Sequence, residues 1–131
     1  MSFEITPLPG EPIILTKLYS TFSVARDAAA SNARLFELLD AVGEPHYLII
    51  DAADIKISFS DMVSGMAALT RGDMAVFKHP SIKQIVAVTT SDMLSLGAKA
   101  LGQSQYGEVM ARTFPTLDEA LAYVRQSTAK G

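Results

Sequence analysis

Apolar and polar residues alternate in two short runs at the start of the chain, Phe3 to Leu8 and Ile13 to Tyr19. A period of two predicts β-strands. The intervening PLPGEP holds proline and glycine, which punctuate turns, so the pair reads as a hairpin. The period then changes. From Thr21 to Val42, apolar residues recur every three or four positions, at Phe22, Ala25, Ala29, Ala33, Phe36 and Leu39. That spacing predicts a helix with this set facing the core. A second set, Leu35, Leu38 and Val42, runs beside it and is expected to be exposed or paired with another copy of the chain. Gly43 suits the left-handed position after a helix, and Pro45 bars its continuation. HYLIID, which follows, is almost continuously apolar and reads as a strand covered on both faces.

The second half repeats the alternation. Ser60 to Arg71 reads as a helix with Met62, Val63, Met66 and Leu69 on one side and Gly72 as its stop. Residues 82–90, IKQIVAVTT, form a β-branched strand run, expected to lie beside residues 47–51 in the middle of one sheet. Ser91 then caps DMLSLGAKALG, with Asp92, Ser95 and Lys99 as its polar stripe. EVMARTF, residues 108–114, alternates like a strand. A helix follows with Leu117, Ala120, Leu121 and Val124 on its buried face, opened by a capping box of Thr116 and Glu119. The predicted order is β-β-α-β-α-β-α-β-α. This is an α/β fold with a mixed, mostly parallel sheet, one antiparallel strand from the N-terminal hairpin, and helices packed on it.

Composition narrows the class. A chain of 131 residues, 49% of them hydrophobic, fits a single domain over residues 1–131 with enough apolar surface to offset chain entropy. Mean hydropathy is positive, which for a chain of this length adds to the expectation of a homodimer or larger oligomer. The net charge is −3 with no basic run, so nucleic acid, whose phosphates call for a positive stripe, is not an expected partner. The absence of cysteine excludes disulfides, thiolate metal sites and cysteine nucleophiles, and suits the cytoplasm. MSFEITPLPGEP lacks the basic and apolar regions of a signal peptide, and no apolar run approaches the roughly 20 residues of a membrane span. His46 and His79 lie in turn-like GEPHY and KHPS, are expected to be solvated, and lack metal-ligand spacing. RGD at 71–73 reads as a helix stop. Neither the glycine-rich phosphate-binding patterns nor the nucleophile elbow occurs, so no cofactor and no enzymatic turnover are expected.

With YLIIDAADIKISFSDMVSGMAAL in its middle and FPTLDEALAYV near its end, the sequence resembles the STAS domains of anti-sigma factor antagonists, and more particularly SpoIIAA-like proteins. The resemblance covers nearly the whole chain in pattern and implies a SpoIIAA-like fold that works by binding. In the antagonists, the loop after the buried strand reads Asp-Ser-Ser/Thr-Gly, and its first serine is phosphorylated by a partner kinase. Laid on that pattern, Ser60 falls at the serine, while Phe59, Asp61 and Met62 replace the other three residues.

The candidate residues cluster around that loop. Ser60, or failing that Ser58, reads chiefly as a helix N-cap, with phosphorylation as the functional alternative. Phe59 is expected to be buried in a staple against Val63. Asp51 and Asp54 bracket a strand end, where parallel sheets form crevices, and Asp51 is expected to bond its own loop backbone. Met62, Met66 and Met93 fall in first turns of helices after parallel strands, with Ser60 and Ser91 on the rim of the same edge. Adaptable methionines suit core gaps and binding surfaces alike. The expected function is a non-enzymatic module that binds a protein partner or a small apolar ligand. The alternatives are a lipid or small-molecule carrier similar to the CRAL-TRIO type, and a small enzyme using Asp51 and Asp54. A cavity of roughly a few hundred Å³ beneath Met62, Met66 and Met93 would favour a ligand. A flat exposed apolar patch would favour a protein partner. Carboxylates in a polar cleft would favour an enzyme.

Overall fold

The computed structural model describes residues 2–70, 76–102 and 110–129. The chain runs β1 (Phe3–Pro7), β2 (Ile13–Leu18), α1 (Val24–Val42), β3 (His46–Asp51), α2 (Phe59–Thr70), a 3-10 turn (Val76–Lys78), β4 (Ile82–Val88), α3 (Asp92–Ala100), β5 (Ala111–Phe114) and α4 (Leu117–Ala129). This is the expected α/β order. β1 and β2 pair antiparallel, with Phe3 opposite Leu18, and the pairs β2–β3, β3–β4 and β4–β5 are parallel. The strands lie in the order β1-β2-β3-β4-β5. β3 and β4 are therefore adjacent and flanked on both sides, as their continuous apolar runs require.

This order explains the layers. A crossover between parallel strands is right-handed, so crossovers that always step the same way along the sheet place their helices on the same face. α1, α2 and α3 are three such crossovers. Their side chains, including Leu35, Leu39, Met66 and Leu101, share a core with Ile14, Leu48 and Ile85. α4 follows the last strand and is free to take the other face. There Ala120 and Val124 pack on Ile13, Tyr47, Ile49, Val86 and Val88.

Local chemistry sets the helix ends. Ser23 Oγ accepts from the Arg26 amide at 3.4 Å, and Asp27 accepts from the Ser23 amide at 2.9 Å. Gly43 ends α1 with φ 64°, the left-handed conformation that side chains disfavour. Ser91 Oγ accepts from the Leu94 amide at 3.3 Å. Thr116 Oγ1 accepts from the Glu119 amide at 3.2 Å, while its hydroxyl donates to Glu119 Oε2 at 3.2 Å. Glu119 thus closes the capping box on the hydroxyl rather than on the backbone amide. No helix among the described residues is long and apolar enough to cross a membrane.

Several expectations need correction. α1 buries Ser31, Leu35 and Leu39, while Ala25, Ala29 and Ala33 are exposed. Leucine gains far more from burial than alanine, so the leucines set the rotation of the helix. Leu35 is core and Leu38 packs against that core, which removes this set as a motive for a dimer. Both histidines are buried. His79 Nδ1 accepts from the Ser81 amide at 3.0 Å, so Nε2 carries the hydrogen and donates to Asp40 Oδ1 at 2.7 Å. Its ring meets Phe36 edge to face at 4.8 Å. His46 Nδ1 donates to the Glu44 carbonyl at 2.9 Å. The turn backbone thus bonds one nitrogen of each ring, and for His79 the Asp40 carboxylate bonds the other, which makes burial tolerable. β5 begins at Ala111, and Met110 before it is exposed. On α3, Leu96 is exposed beside the polar stripe. Gly72, the RGD stretch and residues 108–109 lie outside the described residues.

Candidate functional site

α2 rests chiefly on α1, α3 and the 3-10 turn rather than on the strands. Beneath it lies a cavity of about 190 Å³. Its floor includes Thr16, Ile50 and Ala87, lateral neighbours on β2, β3 and β4. Ala87 is the small member of that row. Val24, Ala28 and Leu35 of α1 form one wall, and Ile55 and Ile57 of the loop after β3 form another. The roof is Met62, Gly65 and Met66 from α2 with Leu94, Gly97 and Ala98 from α3. Gly97 lets these two helices close up. A Cβ there would stand 2.8 Å from Met62 Sδ and 3.3 Å from Met66 Sδ, so any larger residue would displace both sulfurs.

The lining is overwhelmingly apolar. Among the described residues its one charged member is Asp61, in the first turn of α2. Of the hydroxyls, Ser31 donates to the Ala28 carbonyl at 3.0 Å, and Thr89 accepts from the Ser91 amide at 3.0 Å. Thr16 differs. It is only 5% exposed, and its Oγ1 has no hydrogen-bond partner among the described residues.

The structure separates the residues singled out in the sequence. Met62 and Met66 line the cavity. Ser91 and Met93 instead edge a shallow dent with Ile55, Lys56, Ile57 and Leu94. Asp51 lies across the sheet. Ile50 faces the cavity, so its neighbour in the strand points to the α4 side. Lys17 Nζ sits 3.3 Å from Asp51 Oδ2 and 3.7 Å from Asp54 Oδ2. Partial burial pulls the Lys17 ammonium down, but its bond to Asp51 and the two carboxylate charges outweigh this and raise it above its ordinary value. Asp51 Oδ1 also accepts from the Ala53 amide at 3.2 Å, the loop closure expected for it. One lysine thus engages both carboxylates, which gives no support to a catalytic pair.

Ser58, not Ser60, caps α2: its Oγ accepts from the Asp61 amide at 3.1 Å. Ser60 lies in the first turn and is exposed. The helix starts one residue earlier than the sequence suggests, so Phe59 joins the helix instead of preceding its cap. Phe59 is consequently 60% exposed and Val63 39%, and the buried staple does not form.

Thr16, Ala87 and Gly97 were not singled out in the sequence. For Thr16 and Ala87 a local signal was present. Ile14, Thr16 and Leu18 share one face of a strand, and a threonine among them is a polar group directed inward. Ala87 interrupts an otherwise β-branched run.

No family model matches the sequence, and no curated protein matches it. Solved structures do. One is an uncharacterized protein with a SpoIIAA-like fold from Shewanella loihica, 12% identical, with 93% of this chain and 91% of that chain covered and a TM-score of 0.59. Another is an anti-sigma factor antagonist from Mycobacterium paratuberculosis, 15% identical, with 95% of each chain covered and a TM-score of 0.48. The likeness to the Shewanella protein shows that the chain has a SpoIIAA-like fold, the fold its sequence resemblance implies.

Proposed function

We propose that the chain is a non-enzymatic binding module whose cavity takes a small apolar ligand. The observation that carries this reading is the space of about 190 Å³ between the sheet and α1, α2 and α3, lined almost wholly by apolar side chains. An engineered apolar cavity of roughly 150 Å³ binds benzene, so the volume is adequate for a small guest. Pockets for drug-sized molecules span roughly 300–1,000 Å³, so the cavity supports a compact ligand better than a long-chain lipid of the CRAL-TRIO type. Toluene is a direct probe. Carbon-13 methyl spectra should show Met62 and Met66 shifting on its addition, with Met93 unmoved. Ala87→Leu should abolish those shifts and, by filling the floor, stabilise the fold by about 2 kcal/mol. Wild-type spectra unchanged by saturating toluene would refute the reading.

A protein partner is the second reading, favoured by Phe59 and Val63. These stand one turn apart on α2 and are both exposed. A homodimer through this stripe is its most direct form. Sedimentation at high micromolar concentration should then show a dimer that Phe59→Ser converts to monomer, with toluene binding intact. A wild-type monomer under those conditions would remove the dimer.

A further inference from the structure

We infer that the cavity takes a compact apolar molecule ending in one cationic amine, its body beneath Met62 and Met66 and its ammonium group against the Asp61 carboxylate at the rim. This rests on the cavity being a ligand site and adds the chemical class of the ligand.

The first argument is the charge of the lining. Among the described residues it holds no lysine, arginine or histidine, and its one charged member is Asp61. Asp61 is partly buried in the first turn of α2. It stands one turn before Gly65, which also lines the cavity, and Val24 Cγ1 of α1 lies 3.9 Å from where a Gly65 Cβ would stand. This side of α2 is therefore the one turned toward α1 and the cavity. The Asp61 carboxylate has no ion pair and accepts no hydrogen bond among the described residues. Capping is already done by Ser58, whose Oγ accepts from the Asp61 amide at 3.1 Å and whose carbonyl accepts from the Met62 amide at 3.0 Å. The carboxylate oxygens are thus left to a guest.

The second argument is what the neutral polar groups of the lining can do. Thr16 Oγ1 is buried away from any guest. Ser31 donates to the Ala28 carbonyl at 3.0 Å, and Thr89 Oγ1 accepts from the Ser91 amide at 3.0 Å. Asn32, partly buried on α1, brings a side-chain carbonyl, a group that accepts from an ammonium. None of the four carries a positive charge. An anionic guest would find no counter-ion and would meet Asp61 at like charge, which is strongly unfavourable. An ammonium finds a carboxylate, and at a partly exposed rim it keeps part of its hydration while the apolar body is buried. The volume of about 190 Å³ suits a single ring with a short arm.

The test uses four single-ring probes: toluene, which reports the site itself, and benzylamine, benzyl alcohol and benzoate, which differ in charge. Affinity is read by calorimetry and location by the Met62 and Met66 methyl shifts. At neutral pH the wild type should bind benzylamine, a cation, about fivefold more tightly than the neutral benzyl alcohol, and benzoate not measurably. Asp61→Asn should bring benzylamine down to the level of benzyl alcohol. Asp61→Glu, which keeps the charge, should retain the preference. Asp54→Asn, which removes an equal charge beside Lys17, should retain it too. A wild-type preference that is absent or reversed, one that survives Asp61→Asn, one lost equally in Asp54→Asn, or tight binding of benzoate would each overturn this inference and, with toluene bound, leave the ligand site standing. Failure of all four probes to bind the wild type would overturn the ligand site as well.

Discussion

Asp27 has its carboxyl held down to about 2, chiefly by its hydrogen bonds from Arg26, with the Ser23 amide adding to the effect. The ordinary value is 3.8. The folded state therefore favours the charged carboxylate more than the unfolded chain does. Its stabilising contribution is present in full above the ordinary value and is lost as pH falls through the folded value. Acid titration of stability should show wild type losing ground between about pH 4 and 2, and Asp27→Asn should lose less over that window. The two loop serines part company in the same way. Ser58→Ala removes the cap of α2 and should cost about 1 kcal/mol in denaturant melts. Ser60→Ala, at an exposed first-turn position, should stay within about 0.5 kcal/mol. A reversed ranking would restore Ser60 as the cap.

Elements inherit these local choices. Gly43→Ala places a side chain at φ 64° and should cost about 1 kcal/mol without altering the fold, as chemical denaturation would report. His79 links two elements, since its ring joins Asp40 of α1 to the Ser81 amide before β4. His79→Ala should cost about 2 kcal/mol through the lost bonds and lost packing on Phe36. The element order and most caps were legible in the sequence because they depend on neighbours in the chain: Gly43 after α1, Ser91 before α3, Thr116 with Glu119. Which residues each helix turns inward was less legible. For α1, two interleaved apolar sets competed, and only the packed structure chooses leucines over alanines. The cap of α2 was missed by a small shift because Ser58 and Ser60 are chemically equivalent candidates. The cavity was hidden for another reason. It arises where small residues from different elements meet, Ala87 on β4 and Gly97 on α3, and no local pattern reports that meeting.

At the scale of the whole molecule, the two faces of the sheet differ. One carries three helices and the cavity, and the other carries α4. The ordered sequence β1-β2-β3-β4-β5 has a further consequence for the birth of the protein. A domain usually begins to assemble while its chain is still being synthesised, N-terminal part first. Here every new strand docks on the one made just before it, and none has to be threaded between two that are already joined. The ribosome can therefore deliver the sheet from one side to the other, with the growing edge always formed by the newest strand. α4, emerging after β5, arrives when the sheet it must cover is already laid down.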